Sequence, residues 1–399
     1  MHRPSQILNL RRSSWHRVVG ILIVLVLASC AVDSGDDNEE ENDYTEQETV
    51  FDVSGITDAD GSATVSFNVA EGTTKFSITA RIDDAQNIRF TELRSADGVD
   101  YLSPDGLEIS YAGTFFPWVN AASIPSRSAD PAVDDAQRFV ATAEAVEDPN
   151  SRRSAAEGQT IVFTVNSKAD RSLSSGQLPV NVFYVGEVGE DQTTRDVIGT
   201  ALNNMRSLFS NGAHITLSIS EHDIEGPVLL PSPLEGSEFY LANTGSVISP
   251  ALNIFIGGDI EGLSEEQGAE TLGLSAGIPG PPIPSQRSAV AISIFAGAGP
   301  DGIYSSEDVR ILGETIAHES GHYLGLFHPV DFGGNTVVAN DPLGDTTTCS
   351  FITECVGDIE LIDNLMFPSP VPDGEGGYRP QYIITAEQRD VLNRYIVVD

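Results

Sequence analysis

His318, Glu319, His322 and His328 are the residues of this 399-residue chain whose types and spacing point most directly to chemistry. Histidines four apart on a helix stand one turn above each other on the same face, so the imidazoles of His318 and His322 can reach one metal ion. Glu319 begins the same turn, where its carboxylate can take a proton from a water that the ion has acidified. Gly325 follows three residues after the second histidine and lets the helix end and the backbone swing round. That swing brings His328 in as a third ligand. Three protein ligands with one position left open describe a catalytic zinc site, since a structural one is closed by four.

The run over 318–328 reads H-E-x-x-H-x-x-G-x-x-H and resembles the zinc signature of the metzincin metallopeptidases. The resemblance covers roughly residues 178–399. It implies an α+β zincin domain with a twisted mixed sheet, an active-site helix and a Met-turn, with one Zn2+ on His318, His322 and His328 and Glu319 as general base. Asn364-Leu365-Met366-Phe367-Pro368 resembles the Met-turn, which would set Met366 beneath the three histidines. Pro368 stands where several metzincin families carry a tyrosine. In this the turn looks like those of matrixins and reprolysins, and the likeness implies that Pro368 to Pro370 line the primed-side specificity pocket. Gly344-Asp345-Thr346, Cys349 and Cys355, the Asn-x-Met turn and the closing Thr385-x-x-Gln388 resemble the pappalysin family instead. That family's usual Asp-Thr-Pro reads Asp345-Thr346-Thr347 here, and both subfamilies stay open.

The site needs a helix to carry it, and the sequence supplies one. Ser305 or Ser306 can cap its start, Asp308 completes a capping box with Ser305, and Val309, Leu312 and Ile316 give it a buried face. Upstream, 180–185 reads as a buried strand, 192–209 as a helix with apolar residues at helical spacing stopped by Asn211-Gly212, and 215–219 as a second strand. A strand-helix-strand opening of this kind looks like the upper half of a metzincin. Leu252, Ile254 and Ile256 belong to a further strand. In the family an edge strand near here pairs with an extended substrate, and 288–294 competes for that place. The Gly- and Pro-rich segment 273–284 reads as a surface loop over the cleft. Asp331, Asp341 and Asp345 are hard oxygen donors in a glycine-bearing loop, so Ca2+ is a second metal to test against a merely solvated acidic loop.

Before the catalytic region the pattern is different. Residues 51–170 carry short period-two runs at 65–69, 76–82 and 161–165, interrupted by Pro- and Ser-rich turns around 117–131, and read as an all-β, sandwich-like domain. Residues 171–177 link it to a metallopeptidase domain at 178–399. Nothing in 51–170 groups ligand residues, which leaves a binding module, a spacer or a pro-segment. Composition argues against a cysteine switch, because the only cysteine before the zinc motif is Cys30, which the lipobox claims; an aspartate could substitute, and Arg152-Arg153 could serve as a cleavage site or be merely solvated.

Residues 1–29 place Arg3, Arg11, Arg12 and Arg17 before the apolar run 18–28, the layout of a secretory signal. Leu27-Ala28-Ser29-Cys30 resembles the lipobox of bacterial lipoproteins, which implies lipidation of Cys30 and, in a Gram-negative host, the outer membrane or cell surface. Residues 30–50, dense in Asp and Glu, cannot bury a core and read as a tether. With Cys30 lipidated, Cys349 and Cys355 remain as a pair able to close a short loop in oxidising surroundings. A formal charge of −38 repels nucleic acid and anionic lipid. The expectation is a monomeric, surface-anchored zinc metalloendopeptidase acting on a protein or peptide substrate. Its rivals are a lipid-tethered adhesin with a degenerate zinc domain and a protease that cuts only itself.

Overall fold

The computed structural model describes residues 48–83, 86–102, 114–133, 138–148, 153–154, 157–169, 173–247, 249–262, 272–294 and 303–399. Residues 1–29, expected to be a secretory signal, Cys30, the acidic stretch through residue 47, Arg152 and residues 170–172 lie outside them. Among the described residues no helix is long and apolar enough to cross a membrane.

Period-two runs become antiparallel strands. These are β1 (Glu48–Ile56), β2 (Ser62–Asn68), β3 (Lys75–Ile82), β4 (Asn87–Ser95), β5 (Phe116–Pro117), β6 (Val119–Ile124), β7 (Arg138–Asp148), β8 (Arg153–Ser154) and β9 (Thr160–Lys168). One sheet has the order β1-β9-β3-β6 and another β2-β7-β4-β5, with β8 on β7. Their inward residues share a core in which the rings of Phe67, Phe76 and Phe139 meet at centroid distances of 4.8 to 5.9 Å. β3 departs from the expected alternation. Its apolar positions Phe76, Ile78 and Ala80 face that core, yet Lys75, Ser77 and Thr79 are buried as well.

The next strand, β10 (Gly176–Val185), starts two residues before the expected boundary. It is followed by α1 (Gln192–Leu208), whose buried Ile198, Ala201, Leu202 and Met205 keep helical spacing. A π-turn at Phe209–Ala213 and a left-handed His214, φ 58°, end this helix, rather than Asn211-Gly212 alone. Then come β11 (Ile215–Ile224), β12 (Leu229–Leu230), α2 (Glu238–Thr244), β13 (Leu252–Gly257), β14 (Asp259–Ile260), β15 (Gly273–Ser275) and β16 (Val290–Ser293). The main sheet runs β11-β10-β13-β16-β15, parallel except for the last pair, which is antiparallel. This is a mixed α+β architecture with several sheets and few helices, and residues 46–399 pack as one unit.

Two expectations are corrected by the sheet order. Leu252, Ile254 and Ile256 lie in β13 between β10 and β16 and are completely buried, so they cannot touch a substrate. The edge belongs to β15, inside the segment read as a surface loop. That segment is largely interior: Gly273, Ser275, Ala276, Gly280 and Pro281 are all buried. Glycine and proline signal irregular backbone, but their small size also lets a chain pass close beneath a helix, and composition cannot separate the two.

Candidate metal centre

α3 (Ser306–Tyr323) carries the site. It starts as its sequence directs: the Ser305 hydroxyl accepts the Asp308 N–H at 3.2 Å, and the Asp308 carboxylate accepts the Ser305 N–H at 2.7 Å. Leu312 and Ile316 are buried against the sheet and Val309 partly so. The helix ends at Tyr323, and Gly325 adopts φ 112°, a value that L side chains rarely reach. The turn it makes brings His328 back toward the helix.

The three imidazoles converge. His328 Nε2 lies 3.2 Å from His318 Nε2 and 3.0 Å from His322 Nε2. Ligands held at tetrahedral distances from one zinc ion lie about 3.3 Å apart, so these rings are set for a shared ion with little movement. Among the described residues no other group of three or more His, Cys, Asp or Glu side chains is placed to hold a metal ion.

Each ring is turned by an oxygen on its far side. The Nδ1–H groups donate to Leu365 O at 2.8 Å from His318, to Leu326 O at 2.7 Å from His322 and to Asp331 Oδ1 at 2.7 Å from His328. That network assigns the tautomer and leaves every Nε2 lone pair pointing inward. Burial, reinforced by the neighbouring imidazoles, pushes His318 down to about 3 and His322 well below the ordinary histidine range. Both are neutral at pH 7, the form that ligates a cation.

Glu319 reaches the cleft with its edge while dense protein surrounds it, which pushes its carboxyl up to about 8; an N–H from Ser275 on β15 partly offsets this. A Cβ on Gly273 would lie 2.8 Å from Glu319 Cγ, so the edge strand must carry glycine to pass there. A divalent cation close by would favour the ionised carboxylate again. Beside Glu319 and His318 opens a cleft of about 280 Å³, walled by Leu272, Ile311, Thr315, Phe367, Pro368 and Pro370. Glu314 also lines it, its carboxyl raised by burial and held by Arg310 Nη1 at 2.7 Å to each oxygen. Pro368, expected at a specificity pocket, is in this wall.

Met366 is buried beneath the helix, and a Cβ on Gly321 would lie 2.6 Å from its Sδ. The turn that carries it is fixed by an amide pair: Asn364 Nδ2 donates to Gln388 Oε1 at 2.9 Å and Gln388 Nε2 to Asn364 Oδ1 at 3.1 Å. Gln388 belongs to α6 (Ala386–Arg394), which follows two short helices, α4 (Ile352–Cys355) and α5 (Ile359–Ile362), and the hairpin β17 (Val330–Gly333) and β18 (Thr336–Asn340). Cys349 and Cys355 form a disulfide in a small core with Val330, Leu361 and Phe367.

The three aspartates weighed as calcium ligands against a solvated acidic loop have separate partners. Asp331 holds His328, Asp341 accepts the Thr346 hydroxyl at 2.5 Å, and Asp345 caps α6 through Thr385 Oγ1 and Glu387 N, both at 2.8 Å. The Asp331 role escaped sequence reading, although its place three residues after His328 was a signal for it. The Leu365 and Leu326 carbonyls and the Ser275 N–H are backbone groups and carry no residue-type signal at all.

No protein-family model matches the sequence, and no curated protein does. Among solved structures, metalloproteinase-II from Bacteroides fragilis aligns at 13% identity and a TM-score of 0.31, over 56% of this chain and 53% of that one. A chain described as part of a chaperone–substrate complex aligns at 12% identity and a TM-score of 0.30, over 67% of this chain and 38% of that one. This chain thus spans little more than half of the first and well under half of the second, and likeness so slight carries no argument about activity.

Proposed function

We propose that this chain is a zinc-dependent metalloendopeptidase of the metzincin type. One observation carries the proposal: three imidazoles present their Nε2 atoms to a common point, each oriented from behind, with a shielded carboxylate and an apolar-walled cleft beside them. His318, His322 and His328 would hold the ion; nitrogen-only ligation by three side chains suits zinc. When bound, zinc supplies Lewis-acid polarisation of a scissile carbonyl and lowers the pKa of water.

The protein's own residues do the rest. Glu319 accepts a proton from the attacking water and returns one to the departing amine, a role for which its place beside the first histidine on the rim of the cleft suits it. β15 offers an edge to which an extended peptide can add, and the walls around Phe367 and Pro368 receive a side chain of that peptide. The Asn364–Gln388 pair and Asp345 beneath α6 support the pappalysin-like assignment, since they give the Asn-x-Met turn and the Thr-x-x-Gln helix one shared function. Residues 1–30 support export and a lipid anchor at Cys30, and the Cys349–Cys355 disulfide suits an oxidising compartment.

The test is hydrolysis of casein or a quenched peptide library by zinc-loaded protein. Cleavage abolished by a chelator and restored by zinc is expected. Cleavage indifferent to the chelator, or none from fully loaded protein, would contradict the proposal.

A further inference from the structure

Buried cations with no part in the metal centre mark the seam between the two cores. Lys75 on β3 is completely buried, and its ammonium donates to the carbonyls of Asn393 at 3.3 Å, Tyr395 at 3.5 Å and Val398 at 2.5 Å. Lys168 on β9 pairs with Asp399. From the opposite side, Arg287 inserts between the cores at 2% exposure. Its Nη1 donates to Val119 O at 2.7 Å, and its guanidinium lies 3.7 Å above the Phe116 ring. Among the described residues no carboxylate bonds it. A buried cation held by carbonyls and a ring face persists only where a fixed surface surrounds it.

Both contacts lead to one residue of α3. Ser288, next to Arg287, has its Oγ 3.0 Å from Tyr323 Oη, and Asn253 Nδ2 donates to the same Ser288 oxygen at 3.0 Å. Tyr323 Oη donates to Pro281 O, and Gly280 N donates to Tyr323 O at 2.9 Å. Tyr395, whose carbonyl Lys75 reaches, donates its hydroxyl to Gly280 O at 2.8 Å and sets its ring edge-on to Tyr323, with centroids 6.1 Å apart. Tyr323 directly follows His322.

We propose that the N-terminal sandwich is a permanent brace of the metal-binding helix. Its docking fixes the loop 280–288 and the C-terminal tail, these two clamp Tyr323, and Tyr323 is thereby a positioning residue for His322. The inference rests on reading the three histidines as a metal site and not on peptide hydrolysis. It also distinguishes the sandwich from a pro-segment, which must cover the cleft to silence it: every described residue lining the cleft lies between Leu272 and Gln381.

Cobalt(II) is the probe, because its visible bands report ligand geometry without any substrate. In the full chain, Tyr323→Phe, which removes only a hydroxyl, is expected to weaken cobalt binding about tenfold or more and to alter the bands. Tyr240→Phe is the control, since Tyr240 is equally buried and its hydroxyl donates to Pro231 O, away from α3. Equal effects from the two variants, or none from Tyr323→Phe, would overturn the positioning role. A site-specific protease sequence inserted between Lys168 and Gly176 tests the docking. After cutting, the halves should co-elute and keep the cobalt spectrum of the intact chain. Separation into a free sandwich and a second half with unchanged affinity and spectrum would overturn the brace. A peptidase-dead protein that passes both tests would refute hydrolysis alone, whereas an intact chain that takes up no cobalt would overturn the brace together with the metal site.

Discussion

The sandwich and the half that carries the three histidines bury different chemistry. Between its sheets the sandwich buries aliphatic side chains and the rings of Phe67, Phe76, Phe90, Tyr101, Phe139 and Phe163, while its buried Lys75 and Lys168 meet the C-terminal tail instead. Around α3, by contrast, Asn253, Arg287, Ser288, Glu314, Ser320, His322, Asn364 and Gln388 are all buried. A greasy core is held by volume and contact, so it degrades gradually when one side chain is trimmed. A buried hydrogen-bonded network is satisfied or not, and removing one member strands its partner. The first region should answer mutation in stability, the second in metal binding and activity.

The sharpest test of that contrast is Glu319→Ala. It should lower kcat/KM about a thousandfold or more while metal content, read by elemental analysis, stays at the wild-type level. His322→Ala should lose both. Next comes Asn364→Ala, which leaves Gln388 Nε2 buried without its acceptor while Oε1 keeps the Thr385 N–H. A loss of about 1–3 kcal/mol is expected from denaturant unfolding of the metal-free protein.

The pH response is smaller and has a sign that can be worked out. In metal-free protein Glu319 titrates near 8 against an ordinary 4.5, so the folded state holds a proton that the unfolded state releases. Its contribution is therefore present at low pH and lost as pH rises to about 8. His318, lowered to about 3 from 6.5, acts oppositely: its contribution is present above 6.5 and lost as pH falls toward 3. Between 6.5 and 8 the Glu319 effect stands alone of the two. Metal-free protein should lose at most about 2 kcal/mol across that window, and Glu319→Gln should flatten the curve. A wild-type curve already flat would contradict the shielding of that carboxyl. Least of all, Phe163→Leu in the sandwich core should cost about 1 kcal/mol and leave cobalt affinity untouched. A change in affinity would break the comparison from the other side.

His318 and His322 were legible as a pair in the sequence because helical spacing is local: four residues make a turn wherever the helix sits. Ser305 and Asp308 were legible for the same reason, as were the alternating runs that became β2, β3 and β9. What could not be read is non-local. The spacing of Leu252, Ile254 and Ile256 describes a strand equally well at the edge or in the centre, and its neighbours decide which. Lys75, Ser77 and Thr79 alternate as a solvated face would, yet the C-terminal tail covers that side of β3 at Lys75. Asp331, Asp341 and Asp345 have the composition of a calcium loop but three different partners. Tyr323 and Arg287 gave no signal, because their meaning lies in contacts with residues far away in the chain.

The central claim is that His318, His322 and His328 share one ion, and X-ray absorption on the zinc-loaded, substrate-free protein tests it most directly. One zinc per chain with a first shell of three imidazole nitrogens is predicted, reduced by one nitrogen in His328→Ala. A chain that retains no zinc after loading, or a shell unchanged by that substitution, would contradict the account.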